Sequence, residues 1–216
     1  MKKVLVSVVA VLAFALTSNA QLWIGGNIGA SHTGGVIKND PLNGGDDTKL
    51  AKTNRVSIAP KIGVDLSDKL AVGFSVEYTT NTTAKTDKDN KTKTNTAGVT
   101  PFLRYTLVEF GKFGVLAEVG VPINYTFGKT VTNGSATKDD PVFSYGLNVA
   151  PWLQYDASDN FVLECGLNFM GLNATRTIRT DQADKDHKWK NTNMGLNARS
   201  SLVNVGALTI GFIYKF

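Results

Sequence analysis

Residues 113–127 read FGVLAEVGVPINYTF, and this stretch decides the fold. Apolar residues occupy every second position, and glycine, glutamate, asparagine or threonine fill most of the positions between them. Because successive side chains of a β-strand point to opposite faces, the alternation predicts a strand with one apolar face and one small or polar face. The stretch is also longer than the usual strand of a soluble protein.

The same alternation recurs along the chain after Gln21, and eight segments carry it. Together they predict an all-β fold in a single domain over residues 21–216. The length of this part, about 195 residues, is ordinary for one all-β barrel. The segments are residues 22–32, 56–66, 70–78, 99–107, 113–127, 143–155, 161–172 and the end of the chain from Val205.

The connections between these segments alternate strictly between short and long. This is typical of an eight-stranded antiparallel up-and-down transmembrane β-barrel with tight periplasmic turns and long extracellular loops. Aromatic residues near the strand ends would form its interfacial belts. A soluble β-sandwich, with the aromatic residues in its core, is the alternative. The predicted short connections lie near 67–68, 110–111 and 157–158, and the predicted loops are 33–53, 81–95, 128–141 and 174–191.

The N-terminus predicts export. Lys2 and Lys3 precede an apolar run over residues 4–16, and Ser18-Asn19-Ala20 follows it. This is the pattern of a signal peptide over residues 1–20, cleaved near Ala20. Without the two lysines the formal charge falls from +5 to +3, so nucleic acid is not an expected partner. The single Cys165 cannot form an intramolecular disulfide.

Three hairpins share a template in which Pro60, Pro101 and Pro151 stand at matched levels, which suggests bulges or kinks. The template also places a polar or basic residue on each descending strand and a glutamate on the ascending one. Since eight strands enclose an interior that side chains just fill, these residues predict a structural ladder of paired charges that closes the lumen. The predicted pairs are Lys61 with Glu77, Arg104 with Glu118, and Gln154 with Glu164.

The C-terminal strand alternates and ends on an aromatic residue. Here the chain resembles the small OmpA/OmpX-like outer-membrane barrels, sometimes labelled porin family or PorT-like. The resemblance implies a bacterial outer-membrane location, outer-membrane lipid as surroundings, and assembly machinery that reads the last strand as its signal. That signal would comprise Leu208, Ile210, Phe212, Tyr214 and Phe216.

Residues 192–203 alternate weakly. We interpret them as an extracellular extension or as an upper, offset part of the eighth strand. A full strand there would make nine strands and place the C-terminus at the wrong end of the barrel. A ten-stranded barrel is the alternative.

The sequence contains few candidate catalytic or metal-binding residues. His32 and His187, with Ser31, Asp184 and Asp186, lie on the predicted outer rim and form the one candidate set for an enzyme that modifies envelope lipids or peptides. Their spacing matches no catalytic or metal motif, so no cofactor and no enzyme activity is expected. We predict a structural or surface-interaction barrel whose loops contact an unidentified ligand. A narrow channel is the first alternative and the rim enzyme the second.

Overall fold

The computed structural model describes residues 21–38, 42, 44–84, 90–167, 170–181, 183–184, 186–198 and 208–216. The predicted signal peptide therefore lies outside the described residues. Among the residues described, no helix is long and apolar enough to cross a membrane. The strand segments in these ranges are β1 Gln21–Thr33, β2 Val36–Ile37, β3 Thr48–Lys49, β4 Lys52–Ser67, β5 Leu70–Ala84, β6 Lys91–Phe110, β7 Phe113–Gly120, β8 Ile123–Thr132, β9 Ser135–Lys138, β10 Val142–Asp156, β11 Phe161–Leu167, β12 Met170–Thr180, β13 Lys188–Ala198 and β14 Leu208–Lys215.

These segments form a closed eight-stranded antiparallel β-barrel. Each wall strand pairs with the wall strands before and after it in the chain, as an up-and-down topology requires. The predicted strand number is confirmed, and the ten-strand alternative is wrong. The wall strands are β1, β4, β5, β6, β7 with β8, β10, β11 with β12, and β13 with β14.

The first and last wall strands close the barrel. β1 pairs with β14 from Trp23 opposite Lys215 to Ile28 opposite Ile210. Beyond the last ladder pair, the amide of Phe216 donates a hydrogen bond to the Leu22 carbonyl at 3.0 Å. The C-terminal strand therefore supplies the hydrogen-bonded seam that removes the free sheet edge.

The two ends of the barrel differ in their connections. Three short turns, at residues 68–69, 111–112 and 157–160, join wall strands at one end, which we call the turn end. The other end, the loop end, carries the longer connections, including the β2–β3 hairpin and the short strand β9.

The loop-end strands are longer than the sequence pattern predicts. The pattern predicts a loop over residues 81–95, but β5 continues to Ala84 and β6 begins at Lys91. Threonine is β-branched and suits a strand even where the segment is polar. Across this sheet the hydroxyls of Thr92 and Thr130 lie 3.2 Å apart, within hydrogen-bonding distance. The polar residues of this segment therefore belong to strands that extend the barrel wall, and not to a loop.

Two further expectations are settled by the register. Two irregularities in strand pairing lie between Asp65 and Ser67 and between Thr106 and Val108, near the turns. A third lies beside Pro151, where the pairing of β10 shifts by three residues between Trp152–Gly166 and Val149–Leu172. The irregularity expected at the matched prolines is therefore found at Pro151, whereas the register does not change across Pro60 or, in the β5–β6 ladder, across Pro101. Residues 192–198 belong to β13, the upper part of the eighth wall strand. Residues 199–203 lie outside the described residues.

The side chains are distributed inside out compared with a water-soluble protein. The buried residues in the lumen include lysine, arginine and glutamate, together with a cluster built around Trp23 and Phe102. The outer wall carries large apolar side chains that are 40% exposed or more. Examples are Ile24, Ile58, Val76, Val99, Leu103, Tyr125, Leu147, Leu163 and Ile210.

Candidate functional site

Four charged side chains meet in the middle of the lumen, and we call them the lumen charge cluster: Lys61, Arg104, Glu118 and Glu164. They come from β4, β6, β7 and β11, at strand positions whose side chains point inward. Their side chains are 1% to 14% exposed. Charges so deeply buried require partners, because the desolvation of an isolated ion costs several kcal/mol.

The cluster supplies these partners in full. Arg104 donates from Nε to Glu118 Oε2 at 2.7 Å and from Nη1 to Glu164 Oε2 at 2.7 Å. Lys61 Nζ lies 3.3 Å from Glu118 Oε2 and 3.5 Å from Glu164 Oε1. Each cation thus contacts both carboxylates, and the formal charges of the four groups cancel.

Asn27 of β1 adds a neutral link to the cluster. With its amide oriented to satisfy both neighbours, its nitrogen donates to Glu164 Oε1 at 3.0 Å and its oxygen accepts from Lys61 Nζ at 3.2 Å. Five of the wall strands are therefore joined by polar contacts across the lumen.

An aromatic layer surrounds the cations: Trp23, Phe102 and Trp152. The Arg104 guanidinium carbon lies 5.2 to 5.4 Å from the three ring centroids, and Lys61 Nζ lies 4.1 Å from that of Trp152. These distances are within the range of cation–π attraction. The rings therefore fill the space around the ion pairs and help to replace the water that the cations have lost.

Glycines on neighbouring strands make room for the three rings. Trp23 lies directly opposite Gly63, and Trp152 lies directly opposite Gly166. A Cβ on Gly166 would approach the Trp152 indole to 2.9 Å, closer than side chains normally pack. Phe102 has the same relation to Gly73 and Gly120 on its two sides. These glycines therefore allow bulky rings to lie flat inside a narrow barrel.

The lumen charge cluster and the aromatic layer divide the lumen into two cavities. A polar cavity of about 450 Å³, the loop-end cavity, is lined by Lys61, Glu77, Glu118 and Trp152 among others. A smaller cavity of about 60 Å³ on the other side is lined by Trp23, Arg104 and residues of the turn end. The packed layer between them therefore separates the two ends of the barrel.

Two members of the predicted ladder lie outside the cluster. Glu77 accepts hydrogen bonds from the hydroxyls of Ser75, at 3.1 Å, and Thr100, at 3.0 Å. Gln154 is opposite Glu164 in the strand register, but its side chain donates to Asp156 Oδ1 at 2.9 Å. The structure instead joins Lys61 to glutamates of two distant strands.

The alternate residues of the C-terminal strand from Ile210 onward lie on the outer wall. Ile210, Phe212, Tyr214 and Phe216 are all exposed there, and the Phe212 ring stacks on Phe161 at a centroid distance of 6.2 Å. Leu208 is opposite Leu167 in the backbone register.

The rim residues with catalytic potential have separate partners. His32 Nδ1 lies 2.5 Å from Asn54 Oδ1 at the end of β1, whereas the His187 ring packs on Trp189, with centroids 4.9 Å apart, at the β12–β13 hairpin. Asp184 caps the backbone of that hairpin by accepting from the Asp186 amide at 3.1 Å. Within the described part of the chain, no group of three His, Cys, Asp or Glu residues is arranged to hold a metal ion.

Comparison with known proteins gives similarity only at the level of overall shape. No protein-family model matches the chain, and no curated protein sequence does. The solved structure of neisserial surface protein A is similar with 14% identity and a TM-score of 0.38, covering 91% of this chain and 96% of that one. A major outer membrane protein from Thermus thermophilus has 12% identity and a TM-score of 0.46, covering 92% of this chain and 100% of that one.

Proposed function

We propose that the chain is an integral protein of a bacterial outer membrane and acts as an envelope structural or surface-interaction protein through its loop end. The observation that carries this proposal is the inside-out distribution of side chains: paired charges are buried in the lumen, and large apolar side chains are exposed around the wall. Lipid is the solvent that such a wall matches, since a closed barrel satisfies its backbone hydrogen bonds internally.

Two bands of outward-facing aromatic side chains bound the apolar wall and support the proposal. Near the turn end the Phe113 and Tyr155 rings lie 4.9 Å apart, and towards the loop end those of Phe143 and Tyr145 lie 6.0 Å apart. Tyr145 and Tyr155 are ten residues apart on β10. This separation is about 34 Å along the strand. Because the strands of such barrels tilt by about 40° from the barrel axis, it corresponds to about 25 Å along that axis. That height matches the apolar band of outer-membrane barrels.

The packed lumen favours a closed scaffold over a channel. The lumen charge cluster and the aromatic layer fill the section of the barrel between the two cavities, so a solute would have to separate buried ion pairs to pass. What remains accessible from outside the membrane is the loop end. The OmpA/OmpX-like resemblance and the recognition of the C-terminal strand by assembly machinery belong to the same proposal.

We expect the protein to fractionate with outer membranes and to change its gel mobility on boiling. A closed barrel stays folded in detergent at room temperature because its backbone hydrogen bonds are internal, and it unfolds on heating. Electrophoresis of outer-membrane fractions with and without boiling measures the shift. A protein that is found in the water-soluble fraction, with one mobility under both conditions, would contradict membrane insertion.

We expect the purified protein to show no reproducible ion conductance in planar bilayers. The reason is the packed layer around Arg104, whose guanidinium contacts both glutamates of the cluster. Single-channel recording across a range of voltages measures this, with a wide porin as the positive control. Regular conductance steps would replace the scaffold proposal with a channel.

A further inference from the structure

We propose that Lys93, Lys129 and Lys138, on the outside of the loop end, form a binding site for phosphate-bearing lipid headgroups of the outer leaflet. We call these three residues the lysine row. The proposal rests on the proposed function, because it requires the wall below the row to be surrounded by lipid.

The lysine row crosses three neighbouring strands at one level. Lys93 of β6 is directly opposite Lys129 of β8, and Lys129 is directly opposite Lys138 of β9. Neighbouring strands are about 4.8 Å apart, so the three backbone positions span about 10 Å. All three residues are exposed. The row therefore presents three ammonium groups on one patch the size of a headgroup.

The row faces outward, just above the aromatic band. Lys129 follows Phe127 and Tyr125 at two-residue intervals on β8, and both aromatic residues are exposed on the outer wall. The hydroxyl of Thr130, the next residue, faces the lumen side and lies 3.2 Å from that of Thr92. Two residues of strand place Lys129 about 7 Å beyond Phe127. Aromatic belts lie at the headgroup boundary, so this is the level of lipid phosphates.

Among the described residues, Asp139 and Asp140, the carboxylates that follow the row after β9, have partners outside it. Asp139 accepts a hydrogen bond from the lumen-side hydroxyl of Thr130 at 2.8 Å, and Asp140 pairs with Arg179 at 3.0 Å. In the part of the chain that the structure describes, the ion pairs do not include any lysine of the row. Like charges directly opposite each other on adjacent strands repel, so an arrangement of this kind is stabilised by an external anion.

A lipid phosphate is the anion that fits this position. The lysines continue the face that contacts lipid, and cations near an anionic membrane surface each strengthen association by roughly fivefold. A headgroup with a phosphate at each end of a disaccharide could contact two lysines of the row at once, because the row spans about 10 Å. Free phosphate would gain no such contribution from an acyl chain packed against Phe127.

The test uses the full chain folded into phosphatidylcholine nanodiscs that contain equal small amounts of a bisphosphorylated glucosamine-disaccharide lipid and its dephosphorylated form. Native mass spectrometry of the released protein measures the ratio of the two lipids retained. We expect the wild type to retain an excess of the phosphorylated form. The variant Lys93→Gln/Lys129→Gln should reduce that excess roughly 25-fold at low salt, and less at high salt where charges are screened.

The matched control is Lys69→Gln/Lys112→Gln, which makes the same change of charge in two turns of the turn end and should leave the excess unchanged. Equal retention of both lipids by the wild type, or an undiminished excess in the row variant, overturns the proposal. So does release of the lipid by millimolar inorganic phosphate, which would indicate a site for soluble phosphate. Failure of the wild type to insert into nanodiscs contradicts the proposed function itself, and heat-dependent gel mobility separates that result from a loss of lipid preference.

Discussion

Replacement of Glu164 by glutamine is expected to destabilise the barrel by about 3 kcal/mol or more, the cost of breaking a buried ion pair by removing one partner. The Glu164 side chain is 1% exposed and accepts hydrogen bonds from Arg104 and Lys61. Glutamine keeps the shape but removes the charge, which leaves two buried cations opposite Glu118 alone. Its NH₂ group would also face a donor of Arg104. Urea unfolding in lipid vesicles, followed by tryptophan fluorescence, measures the loss.

Glu77→Gln is the matched control for this substitution. Glu77 also faces the lumen, but it lines the loop-end cavity and accepts hydrogen bonds from Ser75 and Thr100 rather than from cations. Its replacement should cost no more than about 1.5 kcal/mol, the contribution of an ordinary hydrogen bond. Equal losses for the two variants would show that the lumen charge cluster contributes nothing as an ionic unit.

A double variant separates charge from packing. Arg104→Met combined with Glu164→Leu removes one cation and one anion, leaving the Lys61–Glu118 pair at 3.3 Å. Because well-packed apolar residues often replace a buried ion pair without loss of stability, the double variant should be more stable than Glu164→Gln. If the double variant lost as much stability as Glu164→Gln, or more, the cluster would act through the shape of its side chains and not through their charges.

The strand count and the inward or outward direction of most side chains follow from the sequence because both depend on a period of two residues. The segment from Phe113 to Phe127 shows what the two-residue period predicts and what it does not. Its alternation predicts Glu118 in the lumen, but not the break at residues 121–122, where the amide of Val121 donates to the Pro101 carbonyl at 2.9 Å. The same pattern underestimates the lengths of the loop-end strands, because threonine-rich polar segments resemble loops when no partner strand is known.

The candidate site was predictable in part: the predicted pair Arg104–Glu118 is present, whereas Glu77 and Gln154 lie outside the cluster and the partners of Lys61 and Glu164 differ from those predicted. Alternation places Lys61 in the lumen, yet its partners Glu118 and Glu164 lie 57 and 103 residues away in sequence. Long side chains cross a narrow barrel, so the register of adjacent strands does not determine which charges meet. The alternation does not reveal the contribution of Trp23 and Trp152. Glycines within the neighbouring strands were the available signal, because a wide ring requires a cross-strand position without a side chain.

Replacement of Leu103 by arginine tests whether lipid or water surrounds the outer wall. We expect it to destabilise the folded protein by about 2 to 4 kcal/mol. Leu103 lies on the outer face, between Val72 and Val119 of the neighbouring strands and midway between the aromatic bands. An arginine there would have to lie in hydrocarbon or draw water into it. Equilibrium unfolding in lipid vesicles measures the cost.

Ile37→Arg is the control that makes this result informative. Ile37 belongs to the β2–β3 hairpin of the loop end, beyond the wall, and it is 42% exposed, compared with 40% for Leu103. If water surrounded the whole molecule, two equally exposed side chains would tolerate arginine equally well, with changes within about 0.5 kcal/mol. If lipid surrounds the wall, Ile37→Arg should be neutral while Leu103→Arg is costly. Equal tolerance at the two positions would contradict membrane insertion, because exposure alone would then determine the energy.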